Sequence, residues 1–285
     1  MARQFGKILV LLVCFIVLIN IVSAIKWDNV AYWDLNETSG QINDITGNGN
    51  NGTIVGNPIL GVEGKVGNGI NFNYSRGNDN YINTTDLDLN GSVSYSLWAI
   101  QREGEDDVTY LSKRDRWGGT TIEIWASNKI GFCIRTVSEN SKKGWTPLKH
   151  FLNTLSRIFL GKDLKGYTFW GLTALEESCV FTASVPSVDE WHNIVAVYDY
   201  PNKNMSIYID GKYNSSAIHN TGLPLNNKNY VIGASAEGIE GYDGGKGGSE
   251  GARDKIDEIG IWNRVLNSNE IRELYNLGKG RSYLS

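Results

Sequence analysis

Among 285 residues there are only 5 prolines, 3 cysteines, 3 histidines and 2 methionines, and acidic side chains outnumber basic ones, 31 against 27. Each shortage removes a class of protein. So little proline leaves no polyproline segment or Pro-rich linker. The histidines never fall in an HExxH arrangement and the cysteines never form CxxC, so the familiar zinc-protease and thiol-redox signatures are missing. A net charge of −4 provides no basic footprint, and no nucleic-acid partner is expected. Beyond residue 25 there is no run long and apolar enough to cross a bilayer, no internal repeat and no alternation of strand with helix.

What the chain does have is 33 glycines, 9 tryptophans and 14 tyrosines, a composition suited to β-strands joined by Gly/Asn turns. Its first residues are of another kind. Arg3 and Lys7 precede an apolar run from Ile8 to Ile19, and Val22-Ser23-Ala24 is a small-residue cleavage pattern, so 1–24 is expected to be a signal peptide. The rival reading is an uncleaved signal anchor, the only way this chain would engage a membrane. Removal of the segment leaves 25 basic against 31 acidic residues, since it holds 2 of the 27, and a net charge of −6.

Strand signals recur through the rest. Ser92 to Ile100 alternates, with Val93, Tyr95, Leu97 and Ala99 on one face and Ser94, Ser96 and Trp98 on the other. Thr121–Trp125 and Lys129–Thr136 read as a pair joined at Ser127-Asn128. Trp191–Asp199 and Met205–Lys212 form a second pair, the latter ending in Asp210-Gly211, a strong hairpin signal. Near the end, Lys255 to Trp262 is a strand with bulk on both faces. Asn267 with Glu270 is a capping box, opening a helix whose Ile271, Leu274 and Tyr275 share a stripe and whose stop is expected at Gly278.

The closing stretch Lys255-Ile256-Asp257-Glu258-Ile259-Gly260-Ile261-Trp262 with its helix, the opening Ala31–Gly40, the Gly/Asn loop Asp44–Gly52 and the Trp191–Lys212 hairpin resemble, in order, the laminin-G-like, concanavalin A-type modules. The resemblance spans residues 29 to 280 with one interruption. It implies an all-β fold: a two-sheet antiparallel jelly-roll β-sandwich with a short C-terminal helix, occupying 25–285. It further implies calcium at Asp44 and Asp257, weakened because Asn36 stands where family members often carry Asp.

The interruption, about 139–177, is partly helical in pattern: Thr146-Pro147 starts a run in which Leu148, Phe151, Leu152, Leu155 and Phe159 recur at helical spacing. Cys133 and Cys179 flank it on what read as neighbouring antiparallel strands, and a disulfide there would staple its base. Glycosylation sequons occur at Asn36, Asn51, Asn73, Asn83, Asn90, Asn204 and Asn214.

Paired catalytic carboxylates are not apparent. Asp257 and Glu258 are adjacent and should point to opposite faces of a regular strand, while Glu123 lacks an acidic neighbour two residues away. No enzyme activity is expected. Glycine-flanked loops carry the candidate glycan contacts, Trp117 with Asp115 and Arg116, and Tyr242 with Asp243, where an aromatic ring can stack on a sugar beside a hydrogen-bonding carboxylate. The acidic, glycine-rich stretch Glu237–Asp257 is a further place where calcium oxygens could gather. The expected role is a secreted or cell-surface recognition module for a glycan or glycoprotein. A structural coat protein and a degenerate glycoside hydrolase are the alternatives.

Overall fold

The computed structural model describes residues 27–73, 80–101, 108–114, 121–137, 175–224, 227–235, 251–253 and 255–283. In chain order its strands are β1 (Ala31–Trp33), β2 (Thr53–Val55), β3 (Ile59–Glu63), β4 (Asn68–Asn71), β5 (Tyr81–Asn83), β6 (Val93–Ile100), β7 (Val108–Arg114), β8 (Thr121–Ala126), β9 (Ile130–Val137), β10 (Leu175–Phe181), β11 (Trp191–Asp199), β12 (Asn204–Ile209), β13 (Lys212–Ile218), β14 (Val231–Ile232) and β15 (Lys255–Trp262). Helix α1 (Ser268–Tyr275) follows.

The strands form two antiparallel sheets packed face to face as a jelly-roll sandwich. An 8-stranded sheet runs β13-β12-β11-β6-β15-β4-β3 with β1 beside β15, and a 7-stranded sheet runs β10-β9-β8-β7-β14-β5-β2. Alternate side chains from each sheet meet in one dry core, where Trp33, Phe72, Tyr95, Leu97, Phe132 and Ile194 are closed to solvent. Central strand β6 is buried on both sides. Its Val93, Tyr95, Leu97 and Ala99 enter this core. Ser94 and Trp98 face the other way, under the C-terminal elements: Ser94 Oγ donates to Arg264 O at 2.8 Å and Trp98 stacks on Tyr275.

Local signals behave as their chemistry dictates. Asp210 (φ 52°) and Gly211 (φ 71°) are both left-handed and close the two-residue β12–β13 turn. Asn267 caps α1, accepting from Asn269 N and Glu270 N, while Glu270 reaches back to Asn267 N at 2.9 Å. Ile271 and Leu274 bury against Val195, Val197, Tyr32 and Trp262, forming a second small core outside the 8-stranded sheet. The helix stops earlier than Gly278, because Asn276 is already left-handed (φ 47°), a conformation Asn tolerates.

Cys133 and Cys179 are directly opposed on β9 and β10 and joined by a disulfide. The pairing extends to Leu175↔Val137, so residues 175–177, expected inside the interruption, are part of β10. Strand pairing set by the disulfide register takes up these last three residues of the interruption. The remainder, including the expected helix, lies outside the described residues, as do 1–26 with the expected signal peptide or anchor. Among the described residues no helix is long and apolar enough to cross a membrane.

Candidate functional site

All four residues expected to touch a glycan, Trp117, Asp115, Tyr242 and Asp243, lie outside the described residues. The strands that bracket them are described. The 115–120 segment leaves β7 at Arg114 and enters β8 at Thr121, which pair with each other. The chain after β14 turns at Gly233, and Ala234 O accepts from Ser112 Oγ at 2.9 Å on the outside of the 7-stranded sheet.

That outer face is built by alternation. On β8, Ile124 enters the core while Glu123 and Trp125 point out. On β9, Phe132 and Ile134 are core and Cys133 and Arg135 are outward. On β10, Val180 is core and Glu177, Cys179 and Phe181 are outward. Antiparallel register aligns these into rows: Trp125–Gly131–Phe181, then Glu123–Cys133–Cys179, then Thr121–Arg135–Glu177. From β7 to β10 and from first row to last the face measures about 14 Å each way.

The first row is aromatic. The rings of Trp125 and Phe181 have centroids 5.7 Å apart with planes at 90°. Both lie across Gly131, and glycine is needed there: a Cβ would come within 2.9 Å of the Phe181 ring and 3.2 Å of Trp125 Nε1. The indole N–H donates to Cys133 Sγ at 3.4 Å, so the disulfide also fixes the tryptophan. Phe181 is 40 % exposed and Trp125 half-buried. Of the polar rows, the middle one is buried, with Glu123 at 9 % and Cys133 at 6 % exposed, and the last reaches solvent at Glu177. Glu123 Oε1 accepts from Thr109 Oγ1 at 3.1 Å, and Arg135 pairs with Glu177 at 2.5 Å. Sequence periodicity places Glu123 and Trp125 on one face of β8; that Phe181 joins them across Gly131 depends on pairing register and was not foreseen.

Asp44 and Asp257, the expected calcium ligands, are organised differently. Asp44 Oδ1 accepts from Tyr32 N, Thr46 N and Thr46 Oγ1, and Oδ2 from Asn50 N. Asp257 Oδ2 accepts from Lys65 N (2.7 Å) and Val66 N (2.9 Å), and Oδ1 from Glu258 N. Asp44 thus takes four backbone and hydroxyl donors and Asp257 three, so both carboxylates brace the fold where they stand, with one bond each to Asp44 Oδ2 and Asp257 Oδ1. No group of three or more His, Cys, Asp or Glu suited to a metal occurs among the described residues.

Asp257 and Glu258 do not point to opposite faces. Register slips between Asp257 and Gly260, and Glu258 sits at φ 52°, a bulge that turns both carboxyls to the outer, helix-bearing side of the 8-stranded sheet. There Glu258 meets the Tyr32 hydroxyl. Burial pushes the Glu258 carboxyl up to about 9 and the Asp257 carboxyl up to about 7, with each other and Asp34 adding repulsion for Glu258. At 0 % and 2 % exposed, the pair is sealed beneath neighbouring elements and open to no cleft.

A Ser–His–Asp contact also exists and is not a nucleophilic relay. His192 Nδ1 faces Asp210 Oδ2 at 2.9 Å, while Nε2 faces Ser187 O at 2.9 Å and Ser187 Oγ at 3.0 Å. A carboxylate and a carbonyl only accept, so both ring nitrogens donate. Ser187 Oγ in turn donates to Glu190 at 2.6 Å. The hydrogen bond to Asp210 raises the imidazole's pKa, and the cation ties the 187–190 loop to the β12–β13 turn. The run Gly247-Gly248-Ser249-Glu250-Gly251 has G-x-S-x-G spacing, but the next element is strand β15 rather than the helix a nucleophile elbow requires.

Among the sequons, Asn73 and Asn90 are exposed. The others are half-buried, and several amides are in use. Asn36 donates to Asp34 and accepts from Asn68 N, Asn51 accepts from Asp44 N, Asn83 from Asn229, and Asn214 from Ala183 N, while Asn204 donates to Ser206. Asn36 in particular bridges two loops.

Residues 157–272 match the sequence profile of Laminin_G_3, described as the concanavalin A-like lectin/glucanases superfamily. The laminin-G-like resemblance is upheld. The matched span begins outside the described residues and takes in β10 to β15 and the start of α1. No curated protein sequence matches the chain. Among solved structures, this laminin-G-like fold is similar to domain 4 of AbnA, a GH43 extracellular arabinanase from Geobacillus stearothermophilus, in complex with arabinotriose: 19% identity, TM-score 0.53, covering 87% of this chain and 98% of that one. It is also similar to the binding domain of Paraclostridial Mosquitocidal Protein 1 (16% identity, TM-score 0.54, 88% and 52% covered). A third similar structure is the botulinum neurotoxin serotype D ligand binding domain in complex with N-acetylneuraminic acid (13% identity, TM-score 0.54, 87% and 50% covered). The chain thus spans about half the length of those two toxin domains. At these identities the likeness is one of fold.

Proposed function

We propose that this laminin-G-like domain is an exported, non-catalytic recognition module that binds a glycan on the outer face of its 7-stranded sheet. The observation that carries the reading is the Trp125–Gly131–Phe181 row, where two aromatic rings lie on a glycine gap two rows from the Arg135–Glu177 pair. Sugar C–H faces stack on such rings while hydroxyls bond to neighbouring charged groups. The neighbours support it: an arabinanase domain carries arabinotriose and a toxin domain carries N-acetylneuraminic acid, and the first of these is matched over nearly its whole length. The disulfide fits an oxidising exterior.

Trp117 and Asp115 lie in the sequence between β7 and β8, outside the described residues, and remain candidates for a glycan contact. Sealed burial of Asp257 and Glu258 speaks against these two as a glycosidase pair. A glycan array probed with wild type, Trp125→Ala and Phe181→Ala tests the proposal. Binding that both substitutions abolish supports it; sugar release from a bound glycan would return the hydrolase reading, and ordered self-assembly without any ligand the coat reading. Thermal melts in excess calcium and in chelator test whether calcium contributes.

A further inference from the structure

We infer, resting on the reading that this face binds a glycan, that the site takes one ring of a bent, soluble oligosaccharide and excludes flat, ribbon-like chains. The geometry of the aromatic row carries this. Trp125 and Phe181 are perpendicular, at 90°, with centroids only 5.7 Å apart. Two rings so placed make a floor and a wall, not a platform. Successive sugars of a flat β-1,4 ribbon present parallel faces, which cannot both stack on perpendicular rings. A chain whose successive rings turn steeply, as in an α-linked furanose oligosaccharide, can seat one ring on the floor and run its next unit along the wall.

Three constraints hold the corner rigid. The indole N–H is bonded to Cys133 Sγ, whose own position is fixed by the disulfide to Cys179. The absent side chain at Gly131 lets both rings settle on β9, where a methyl group would meet Phe181 at 2.9 Å. The backbone of β10 is pinned at the edge, because Ser215 Oγ donates to Phe181 O and Ala183 N to Asn214 Oδ1. The hydrogen bond holds the indole, and the seat across Gly131 sets the two rings edge to face. Beyond the corner, the Arg135–Glu177 pair two rows away offers hydroxyl-bonding partners, so a following sugar is met by polar groups and not by a second stacking surface.

The test compares α-1,5-arabinotriose with cellotriose by calorimetric titration, and adds co-sedimentation with microcrystalline cellulose. Wild type, Trp125→Ala, Phe181→Leu and Gly131→Ala are used, each checked for an unchanged circular dichroism spectrum. Arabinotriose is expected to bind at least about tenfold tighter than cellotriose, with no co-sedimentation, and each variant to lose about tenfold in affinity. Cellotriose binding as tight, or co-sedimentation with cellulose, that Trp125→Ala abolishes would overturn the bent-chain inference while leaving the glycan face standing. Binding indifferent to all three variants, or no binding to either sugar alongside a blank glycan array, would overturn the glycan face and this inference with it.

Discussion

The hydroxyl of Tyr32 lies 2.5 Å from Oε2 of Glu258, 226 residues later in the chain, and 3.2 Å from the carbonyl of Arg281. One phenolic proton cannot serve both acceptors. A protonated Glu258 resolves the conflict, donating to the phenol oxygen while the phenol donates to Arg281 O. Burial, which raises the Glu258 carboxyl to about 9, sustains that state at neutral pH.

The consequence is a stability that falls as pH rises. Unfolded, Glu258 ionises near 4.5; folded, near 9. Asp257 moves likewise from 3.8 to about 7. Between those values the folded chain holds protons that the unfolded chain has lost. The stabilisation is therefore complete below the unfolded values and is lost as pH climbs through the folded ones. Glu258→Gln keeps a donor for Tyr32 and removes the titration. Its melting temperature should exceed wild type by several degrees at pH 8 and converge with it near pH 4, as read by melts across pH.

Asp257 acts on the loop before β4. Its Oδ2 holds Lys65 N and Val66 N, and a side chain at Gly64 would bring a Cβ within 2.8 Å of it. Asp257→Ala removes the acceptor of three N–H groups, those of Lys65, Val66 and Glu258, and should cost about 2–4 kcal/mol in urea unfolding.

The disulfide closes a sequence separation of 46 residues. Cys133→Ser with Cys179→Ser should destabilise by up to about 4 kcal/mol in the chain-entropy account. The same change frees Trp125 Nε1 from Cys133 Sγ, so indole fluorescence should shift together with stability.

At the C-terminal helix, Asn267→Ala should cost about 1 kcal/mol, the ordinary loss of an N-cap. Glu270→Ala should cost more, because Glu270 is 3 % exposed and also receives Arg264 through both carboxylate oxygens at 2.8 and 2.9 Å. Denaturant midpoints of the two variants check the order.

What could be read from the residues follows the range of the interactions concerned. The Asp210-Gly211 turn, the Asn267–Glu270 box and the β6 alternation are local, and each stands in the structure as its chemistry predicts. The Cys133–Cys179 pair was legible because two recognisable strands flanked one excursion. The bulge at Glu258 was not, since a left-handed glutamate carries no sequence mark and is imposed by Tyr32 and the 64–67 turn from far along the chain. The aromatic corner was half legible: alternation turns Trp125 outward, but only register brings Phe181 over Gly131. An aromatic in a glycine-rich stretch, as at Trp117 and Tyr242, carries a local mark of a binding loop, whereas Trp125 inside a regular strand carries none.

The glycan face is most directly tested by heteronuclear NMR shift mapping of the isotope-labelled domain with the tightest array ligand. The expected result is a cluster of shifts at the Trp125 indole N–H, Gly131, Cys133 and Phe181, spreading towards Arg135. Shifts confined to the helix side of the other sheet, with the Trp125 indole unmoved, would contradict it.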